Sequence, residues 1–342
     1  MNKKSSNGYD SLTSISTLNF EKKSVLIIGG GEMGKQYARA LTKMNIQDVT
    51  IVSQTLKDPT EFSNKFQYTV LSEGFEKNLP KLKKMDLVIV ATPTSLLIPA
   101  TKLAIECGQN NILIEKPGSL YHKELSSLLT ELKSQRIRIA YNRILYPSFH
   151  KLKSMVEIDG GITSCTFDFT EWIHRIPFGI YKEDEYQYWG IANSLHVISM
   201  AMELIGIPKN ISTYQSGELE WHKSGSSFVG SGITEKNIPF SYHADWGSGG
   251  RWGIEVTTKN NVYRLIPLEE LYVCPKGKVI WEQVNFVTAY PETKPGISEE
   301  IAVMLDHDLE SKFEMISVEK AIEYNKLAEK IFSYDIHEHS TH

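Results

Sequence analysis

Short apolar runs alternate with helix-forming stretches over the first half of the chain. Each run is continuously apolar, which is typical of strands that are buried on both faces of a parallel sheet. The first helical stretch, GKQYARALTKM, places Tyr37, Leu41 and Met44 on one apolar face. Strands that alternate with helices predict an α/β domain with a doubly wound parallel sheet. The predicted strands are Ser24–Ile28, Val49–Val52, Asp86–Ala91, Ile112–Ile114 and Ile137–Ala140.

The pattern changes after Pro147, where apolar and polar residues alternate along several runs. Alternation is typical of strands that have one face on the core and one face exposed. Turns rich in Gly and Asn separate several runs, and TKNN is a hairpin candidate. One helix returns near the end, Val318–Phe332, and we expect a structural role for it. The predicted strands are Gly161–Trp172, Gly217–Trp221, Pro239–Trp246, Gly253–Thr258 and Val262–Ile266.

These patterns divide the chain into two domains between two tails. The first twenty residues are rich in Ser, Thr and Asn, which predicts a tail that is loose or lies on the surface. We expect a flexible tail at 1–20, a parallel-sheet domain at 21–141, a β-rich α+β domain at 142–335, and a second tail at 336–342.

Composition excludes several classes of function. The chain has 342 residues, of which 41% are hydrophobic and 23% charged, as is ordinary for a soluble two-domain protein. The net charge of −4 gives no electrostatic footprint for nucleic acid or a membrane surface. No apolar run approaches the ~20 residues that span a bilayer. Cys107, Cys165 and Cys274 lie far apart and show neither disulfide nor metal spacing, so we expect no metal. These features favour a cytoplasmic enzyme or binding protein.

A glycine-rich turn, GGGEMG, follows the first strand and opens the first helix. In Gly29-x-Gly31-x-x-Gly34, the first glycine permits a tight turn, the second lets the backbone approach a pyrophosphate, and the third lets helix and strand pack closely. The N–H groups at the helix start, around Glu32 and Met33, then face the phosphates. This context predicts a Rossmann domain that binds a dinucleotide. The alternative is a Gly-rich turn in another kind of α/β protein.

The end of the second strand bears on the choice of cofactor. A carboxylate at this point would bind the ribose hydroxyls of NAD. Here Ser53, Gln54 and Thr55 form the tip, and Asp48 lies at the opposite end of the strand. Ser53, Thr55 and Lys57 are compatible with a 2′-phosphate, so the sequence favours NADP over NAD. The alternative is that these are plain loop residues and NAD binds without an acidic partner.

Polar residues follow three further strands, at the carboxyl edge of the predicted sheet. Ligands bind at this edge in open parallel sheets, so the convergence predicts a site. A partly desolvated Lys116 near a nicotinamide ring would have a lowered pKa and exchange a proton. Pro117 after it suggests a turn with a cis peptide bond. The alternative is a surface Glu–Lys pair. The residues are Thr92, Pro93, Glu115, Lys116, Tyr141, Asn142 and Arg143.

The order of motifs resembles the Gfo/Idh/MocA oxidoreductases, which include glucose–fructose oxidoreductase and inositol dehydrogenase. The motifs are GGGEMG, ATPTSLL, IEKPGS, YNRILYP and WGIANSLHVISMAMELIG, and the resemblance runs from about Lys23 to about Tyr334. It implies a Rossmann domain followed by an α+β domain with a large, mostly antiparallel sheet. It also implies bound NAD(P), hydride transfer on a sugar or polyol carbon, and catalytic roles for Lys116 and His196.

The helix that carries His196 departs from the family pattern. A lone His on an apolar helix is more often a core residue, but the resemblance implies a base for a hydroxyl proton. The family commonly has Asp four residues before this His and three after it, where this chain has Ala192 and Ser199. Asn193 and Ser194 are candidates to orient His196 or to bind substrate. Variants of this kind resemble members that act in surface-polysaccharide and nucleotide-sugar pathways.

Aromatic residues cluster in the sequence before His196, and aromatic faces stack on sugar rings. The alternative is that they belong to a lid or an interface. Among these and the earlier motifs, the candidates for substrate binding are Lys116, Arg143, Trp172, Tyr188, Asn193 and His196. The aromatic residues are Trp172, Tyr181, Tyr186, Tyr188 and Trp189.

Together these features predict an NAD(P)-dependent oxidoreductase that acts on a sugar, a sugar derivative or a nucleotide sugar. We expect Lys116 and His196 to transfer protons while the cofactor carries the hydride. We also expect a homo-oligomer, a dimer or tetramer, assembled through the second-domain sheet. One alternative is an NAD-dependent glycosidase with transient redox chemistry. Another is a nucleotide-bound sensor or partner-binding protein without catalysis.

Overall fold

The computed structural model describes residues 8–54, 64–132 and 134–334. The chain divides into two compact units. The first comprises Met1–Leu145 and Thr288–Ile322, and the second comprises Tyr146–Val287 and Glu323–His342. The expected second domain at 142–335 therefore differs from the structure, because residues 288–322 pack with the first unit.

The first unit contains a parallel sheet, as predicted, with six strands where the sequence indicated five. Its order is β3-β2-β1-β4-β5-β6, with β1 at the centre between β2 and β4. The short outer strand β3 was not predicted, because its residues are only half-buried and form no continuous apolar run. The strands are β1 (Ser24–Ile28), β2 (Asp48–Val52), β3 (Thr69–Leu71), β4 (Leu87–Val90), β5 (Asn111–Glu115) and β6 (Arg136–Ala140).

Helices alternate with these strands, which confirms the α/β prediction. The start of the chain differs from the expected loose tail. Residues Gly8–Thr13 and Ile15–Thr17 are helical, and the side chains of Leu12, Ile15 and Phe20 are buried. Residues 1–7 and the predicted tail at 336–342 lie outside the described residues. The helices are α1 (Gly8–Thr13), α2 (Glu32–Lys43), α3 (Gly74–Asn78), α4 (Thr94–Glu106) and α5 (His122–Leu129).

Residues 288–322, here called the return segment, complete the first unit. All nine residues of its helix Ile297–Leu305 are buried, and this helix packs on α2. The Arg136 guanidinium donates to the carbonyl oxygens of Met304 at 2.8 Å and Val303 at 3.0 Å. It also forms an ion pair with Glu310, with Nε and Oε1 2.6 Å apart. One arginine at the start of β6 thus holds the end of a helix that lies far along the sequence.

The second unit is built on an eight-stranded sheet in the order β14-β13-β12-β11-β7-β10-β9-β8. Only the β7–β10 pair is parallel among these strands, which confirms the mostly antiparallel sheet. The hairpin at TKNN joins β11 to β12. The strands are β7 (Ser164–Thr170), β8 (Pro208–Ser216), β9 (Ser227–Thr234), β10 (Pro239–Asp245), β11 (Arg251–Thr257), β12 (Asn261–Leu265), β13 (Tyr272–Pro275) and β14 (Glu282–Gln283).

Two strands at one edge of this sheet, β8 and β9, escaped the pattern analysis. Glycines in β9 allow rings of the neighbouring strand to lie across its backbone. A Cβ at Gly230 would lie 2.4 Å from the Tyr242 ring, and one at Gly232 would lie 2.9 Å from the Phe240 ring. The predicted strand Gly217–Trp221 is wrong, since this stretch forms only an isolated bridge from Leu219.

Four α-helices of the described residues lie wholly or partly in the second unit. They are α6 (Pro147–Ile158), α7 (Glu183–Gln187), α8 (Leu195–Ile205) and the last helix, Val318–Phe332, whose final ten residues belong to this unit. Two further helices, α9 (Ile297–Leu305) and α10 (His307–Glu310), lie in the return segment and belong to the first unit. The last helix is numbered α11. Among the residues that the structure describes, no helix is long and apolar enough to cross a membrane.

The substitution Arg136→Met tests the anchor of the return segment. It removes the donor to two helix carbonyls and breaks a mostly buried ion pair, so we expect the free energy of unfolding of the first unit to fall by about 2–4 kcal/mol. Amide hydrogen exchange of α9 should accelerate correspondingly. The control Arg39→Met removes an exposed guanidinium 3.8 Å from Glu32 and should cost less than about 0.5 kcal/mol. Equal exchange in both variants would contradict this role for Arg136.

Candidate active site

The three glycines of the Gly-x-Gly-x-x-Gly motif have distinct surroundings. Gly29 has a φ of +115°, and a Cβ there would lie 2.3 Å from the Ala91 carbonyl oxygen. A Cβ at Gly34 would lie 2.1 Å from the Gly29 carbonyl oxygen, so these two glycines are required by the fold itself. A Cβ at Gly31 would meet nothing within 4 Å. The space over Gly31 is therefore open, as a turn that receives a ligand requires.

Helix α2 begins directly after this turn. Its first N–H groups have no acceptor within the helix, so the start of α2 has donors that can face an anion. Lys35 N–H closes the first turn onto the Gly31 carbonyl oxygen at 3.0 Å. The Glu32 side chain is exposed and accepts from Gln36 at 2.7 Å. Met33 lies beside a lysine of the return segment, with its sulfur 3.4 Å from Lys294 Nζ.

The end of β2 carries two of the three residues predicted to select the cofactor. Ser53 is buried, and its N–H donates to the Leu71 carbonyl oxygen at 3.0 Å. Gln54 is exposed and lies beside Gly74. Thr55 lies outside the described residues, and so does Lys57.

The end of β4 leaves a polar atom without a partner. Thr92 Oγ1 is buried and forms no hydrogen bond within the part of the chain that the structure describes. Pro93 follows, is exposed, and directly precedes α4. Buried hydroxyls are normally satisfied, so an unpaired one beside Gly29 fits a site that a polar ligand completes.

Glu115 and Lys116 end the buried strand β5. The Glu115 carboxylate is buried and accepts the phenol proton of Tyr37 at 2.7 Å. The Lys116–Pro117 peptide bond is cis, as expected, and the chain turns through Gly118, whose N–H donates to the Glu115 carbonyl oxygen at 3.0 Å. Burial raises the pKa of Glu115, while Tyr37 and the charge of Lys116 oppose that rise. The charged residues at this strand end are therefore electrostatic partners.

Asn142 joins the sheet edge to the return segment. Its side-chain N–H donates to the Pro295 carbonyl oxygen at 2.8 Å. A Cβ at Gly296 would lie 2.1 Å from the Asn142 carbonyl oxygen, so only glycine fits there. Arg143 follows and is half-buried. Asn142 thus has a clear structural contact, and its predicted cofactor contact stays a prediction.

The second unit contains His196, which is buried near the start of α8. Its ring centroid lies 6.1 Å from that of Trp252, which in turn lies 5.6 Å from that of Trp172. The preceding residues Gly190–Ser194 form a turn of π-helix, a feature that often marks functional positions. Lys116 belongs to the first unit and His196 to the second.

A buried carboxylate that the sequence analysis missed, Glu171, holds this π-helical turn. It accepts hydrogen bonds from Asn193 at 2.8 Å and from Ser194 at 2.6 Å. The resemblance implied an Asp at position 192, where this chain has Ala. A carboxylate from the end of β7, that of Glu171, binds the next two residues instead. The sequence carried one signal for this carboxylate. It is an acidic residue directly before Trp172, at the end of a strand in which apolar and polar residues alternate.

Most of the aromatic cluster packs on itself. Tyr186 and Trp189 are buried and stacked, with ring centroids 5.9 Å apart. Tyr188 is half-buried and lies 4.7 Å from the Tyr334 ring, while Tyr181 is exposed. Tyr186 and Trp189 therefore pack inside the second unit, and a substrate contact by the cluster stays a prediction.

Comparisons with protein families and curated proteins match part of the chain. A family model described as shikimate / quinate 5-dehydrogenase matches residues 11–113. A glutamyl-tRNA reductase from Saccharolobus islandicus is 27% identical over 109 residues, which are 29% of this chain and 24% of that protein. The chain thus spans about a quarter of the length of the curated relatives it matches, or less.

Solved structures match nearly the whole chain. UDP-N-acetylglucosamine 3-dehydrogenase from Acidithiobacillus ferrooxidans is 14% identical with a TM-score of 0.71, over 91% of this chain and 97% of that one. Levoglucosan dehydrogenase in complex with NADH and levoglucosan is 16% identical with a TM-score of 0.71, over 91% and 96%. At these identities the likeness shows a shared fold, and it confirms the fold expected from the Gfo/Idh/MocA resemblance.

The substitution Glu171→Ala tests the carboxylate under the π-helical turn. It leaves the buried hydroxyl of Ser194 and the amide of Asn193 without their acceptor, so we expect a loss of about 2–4 kcal/mol in the free energy of unfolding. Ser194→Ala removes one of the two bonds and should cost about 1 kcal/mol. The exposed carboxylate Glu183 provides the control, since Glu183→Ala should leave calorimetric unfolding unchanged. Unchanged unfolding of Glu171→Ala would contradict the anchor.

Proposed function

We propose that this chain is an NAD(P)-dependent oxidoreductase of the Gfo/Idh/MocA type. It transfers a hydride to or from a CH–OH carbon of a sugar, a sugar derivative or a nucleotide sugar. The observation that carries the proposal is the carboxyl edge of the parallel sheet. There, Gly31 faces open space at the start of α2, and the buried Thr92 hydroxyl has no hydrogen-bond partner among the described residues. Such an edge is where open α/β sheets bind dinucleotides.

The residues at this edge fit NAD(P). Gly31 and the first N–H groups of α2 would hold the pyrophosphate, and the Thr92 hydroxyl would meet a polar group of the cofactor. Ser53 and Gln54 stand at the end of β2, where no carboxylate occurs among the described residues 53 and 54. This favours NADP, as the sequence did. The related fold of levoglucosan dehydrogenase binds NADH, so the choice between the two cofactors is left to binding measurements.

The proton transfers fall to Lys116 and His196. The cofactor supplies or accepts the hydride when bound. Oxidation of an alcohol also releases a hydroxyl proton, and a His that titrates near neutrality is suited to take it. An ammonium group such as Lys116 polarises the substrate oxygen and can relay the proton. Arg143, Trp172, Tyr188 and Asn193 remain our candidates for substrate contacts.

A nucleotide sugar is the substrate class that we favour. The UDP-N-acetylglucosamine 3-dehydrogenase shares the fold over nearly the full length of both chains. The helix before His196 carries Asn193 and Ser194, the variant that pointed to surface-polysaccharide and nucleotide-sugar members. These two observations together support a sugar-nucleotide screen before one of free sugars.

The second unit suggests how copies assemble. Its sheet exposes Tyr214, Val229 and Ile233 on one face of the paired strands β8 and β9. Apolar residues at neighbouring exposed positions of a sheet are typical of an interface. We propose that the protein forms a dimer or tetramer through this face.

The substitution Gly31→Ala tests the cofactor site without disturbing the fold. The new methyl group meets no protein atom within 4 Å, so thermal unfolding should match that of the wild type. It would fill the space for the pyrophosphate, so we expect NADPH and NADH affinity to fall by about tenfold or more, roughly 1.4 kcal/mol. Titration followed by nicotinamide fluorescence measures both affinities. Gly249→Ala, also open in the structure, is the matched control and should bind normally. Equal affinity in both variants would remove the support for this site.

The substitution Lys116→Ala tests catalysis. Loss of an acid–base group typically lowers turnover by ~10²–10⁴-fold, and we expect an effect on this scale with little change in cofactor affinity. Lys123→Ala, an exposed lysine in α5, is the control. A sugar cleaved without net change in nicotinamide absorbance would favour the glycosidase alternative. Normal turnover in Lys116→Ala would exclude the proposed role for this lysine.

A further inference from the structure

Three buried side chains of the first unit form a hydrogen-bonded chain that the proposed function does not use. Tyr37 on α2 lies between Glu115 at the end of β5 and Glu300 on α9. The Tyr37 phenol oxygen is 2.7 Å from Glu115 Oε1 and 2.8 Å from Glu300 Oε1. Glu115 is 7% exposed, and Tyr37 and Glu300 are fully buried.

The number of protons in this chain follows from its geometry. A phenol carries one proton and can donate to only one of two carboxyl oxygens. The other contact, at hydrogen-bond distance, needs a proton from the carboxyl side. If both carboxyls were ionised, two negative charges would share one donor in a buried site, which is strongly unfavourable. One of the two glutamates is therefore a neutral acid.

The surroundings of the two glutamates differ. The Lys116 backbone N–H and the charge of Lys116 favour the anion of Glu115, whereas the charge of Lys294 acts on both glutamates. Glu300 faces two other carboxyls, Glu115 and Glu299, and its second oxygen is buried without a hydrogen-bond partner among the described residues. An ionised carboxylate would leave charge on that oxygen, whereas a neutral acid leaves only a carbonyl group.

We propose that Glu300 is a neutral carboxylic acid that donates to Tyr37, that Tyr37 donates to the Glu115 carboxylate, and that this chain positions Lys116. The assignment of the proton stands on the structure alone. The effect on Lys116 rests on the proposed function. Glu300 and Tyr37 are positioning residues, since they act on the lysine through Glu115.

The electrostatics agree with this order of protons. Burial raises the pKa of Glu300 well above its ordinary value of 4.5, and the charges of Glu115 and Glu299 raise it further, while Tyr37 and Lys294 oppose the rise. Burial raises the pKa of Glu115 as well, but Lys116 opposes that rise in addition to Tyr37 and Lys294. The neighbouring Glu299 on the same helix is also buried, and burial raises its pKa to about 7. Any test by pH must therefore separate Glu300 from Glu299.

The sign of the effect on stability follows from linkage. Between the unfolded pKa near 4.5 and the higher folded pKa, the folded protein keeps a proton on Glu300 that the unfolded chain has lost. Stability from this group is greatest below pH 4.5 and falls as pH rises, until pH exceeds the folded pKa. One such proton increases the unfolding equilibrium constant about tenfold per pH unit.

The first test compares unfolding of the full chain between pH 7.5 and 8.5 in Glu300→Gln, Glu299→Gln and the wild type. Glu299 is mostly ionised in this range, so Glu299→Gln should keep the wild-type slope. Glu300→Gln has no proton to lose at this position. The increase of about tenfold per pH unit that Glu300 gives to the unfolding constant should therefore be absent from this variant. Equal slopes in all three proteins would overturn the assignment.

Infrared spectroscopy of the wild type provides a second readout that needs no variant to fold. With isotope-labelled glutamate, a protonated carboxyl band should persist at pH 8.5, where Glu299 has lost its proton. Glu300→Gln should remove the band, and Glu299→Gln should not. A wild type in which no protonated carboxyl band at pH 7.5 or pH 8.5 is removed by Glu300→Gln would overturn the assignment of a neutral Glu300.

The last test addresses Lys116. A glutamine at 300 is a permanent neutral donor, so Glu300→Gln should restore most of the turnover lost in Glu300→Ala. Glu115→Gln removes the anion beside Lys116 and should lower turnover at least tenfold, moving the Lys116 limb of the pH–rate profile to lower pH. A tolerated Glu115→Gln with an impaired Glu300→Gln would place the proton on Glu115 and overturn the proposal. If the wild type binds neither NADH nor NADPH, the proposed function fails, while the unfolding and infrared tests still locate the proton.

Discussion

The buried Glu115 carboxylate is the constraint on which the first unit depends. A buried carboxyl group at the end of an apolar strand needs hydrogen-bond partners from inside the protein, because burial removes most of its contact with water. The donors are the Tyr37 phenol and the Lys116 backbone N–H, and α9 brings Glu300 to the same phenol. The sheet, α2 and the return segment thus meet at one polar point beside the lysine proposed for catalysis.

The second unit solves a similar problem with a different carboxylate. Glu171 stands at the end of β7 and binds the two residues that precede α8. A π-helical turn leaves backbone and side chains in a less regular arrangement than an α-helix, and a buried acceptor fixes it. Both units therefore have a buried glutamate at a strand end, next to a proposed proton-transfer residue or to the segment before it. Glu115 directly precedes Lys116, and Glu171 binds the residues before the helix of His196.

The sequence predicted the elements whose signals are local. Runs such as Ile112–Ile114 are apolar throughout, and three of the four glycines of GGGEMG have a stated geometric reason. Strand β9 was missed because its glycines leave room for rings of β10 and so resemble a loop in the sequence. Glu300 was missed because its contact with Tyr37 spans 263 residues, and no local pattern reports such a pairing. The sequence placed Tyr37 on the apolar face of its helix, which is correct for the buried ring. The same pattern gives no information about the partners of its hydroxyl group.

The return segment has a consequence for biosynthesis. The first unit is discontinuous in the chain, since 142 intervening residues, Tyr146–Val287, belong to the second unit. A ribosome therefore releases the whole sheet β1–β6 long before α9 emerges. Until then Arg136 lacks the carbonyls that it binds, and Tyr37 lacks one of its two partners. The order of synthesis makes the nascent first unit an incomplete domain, and a protein truncated after Leu145 would keep that incompleteness permanently.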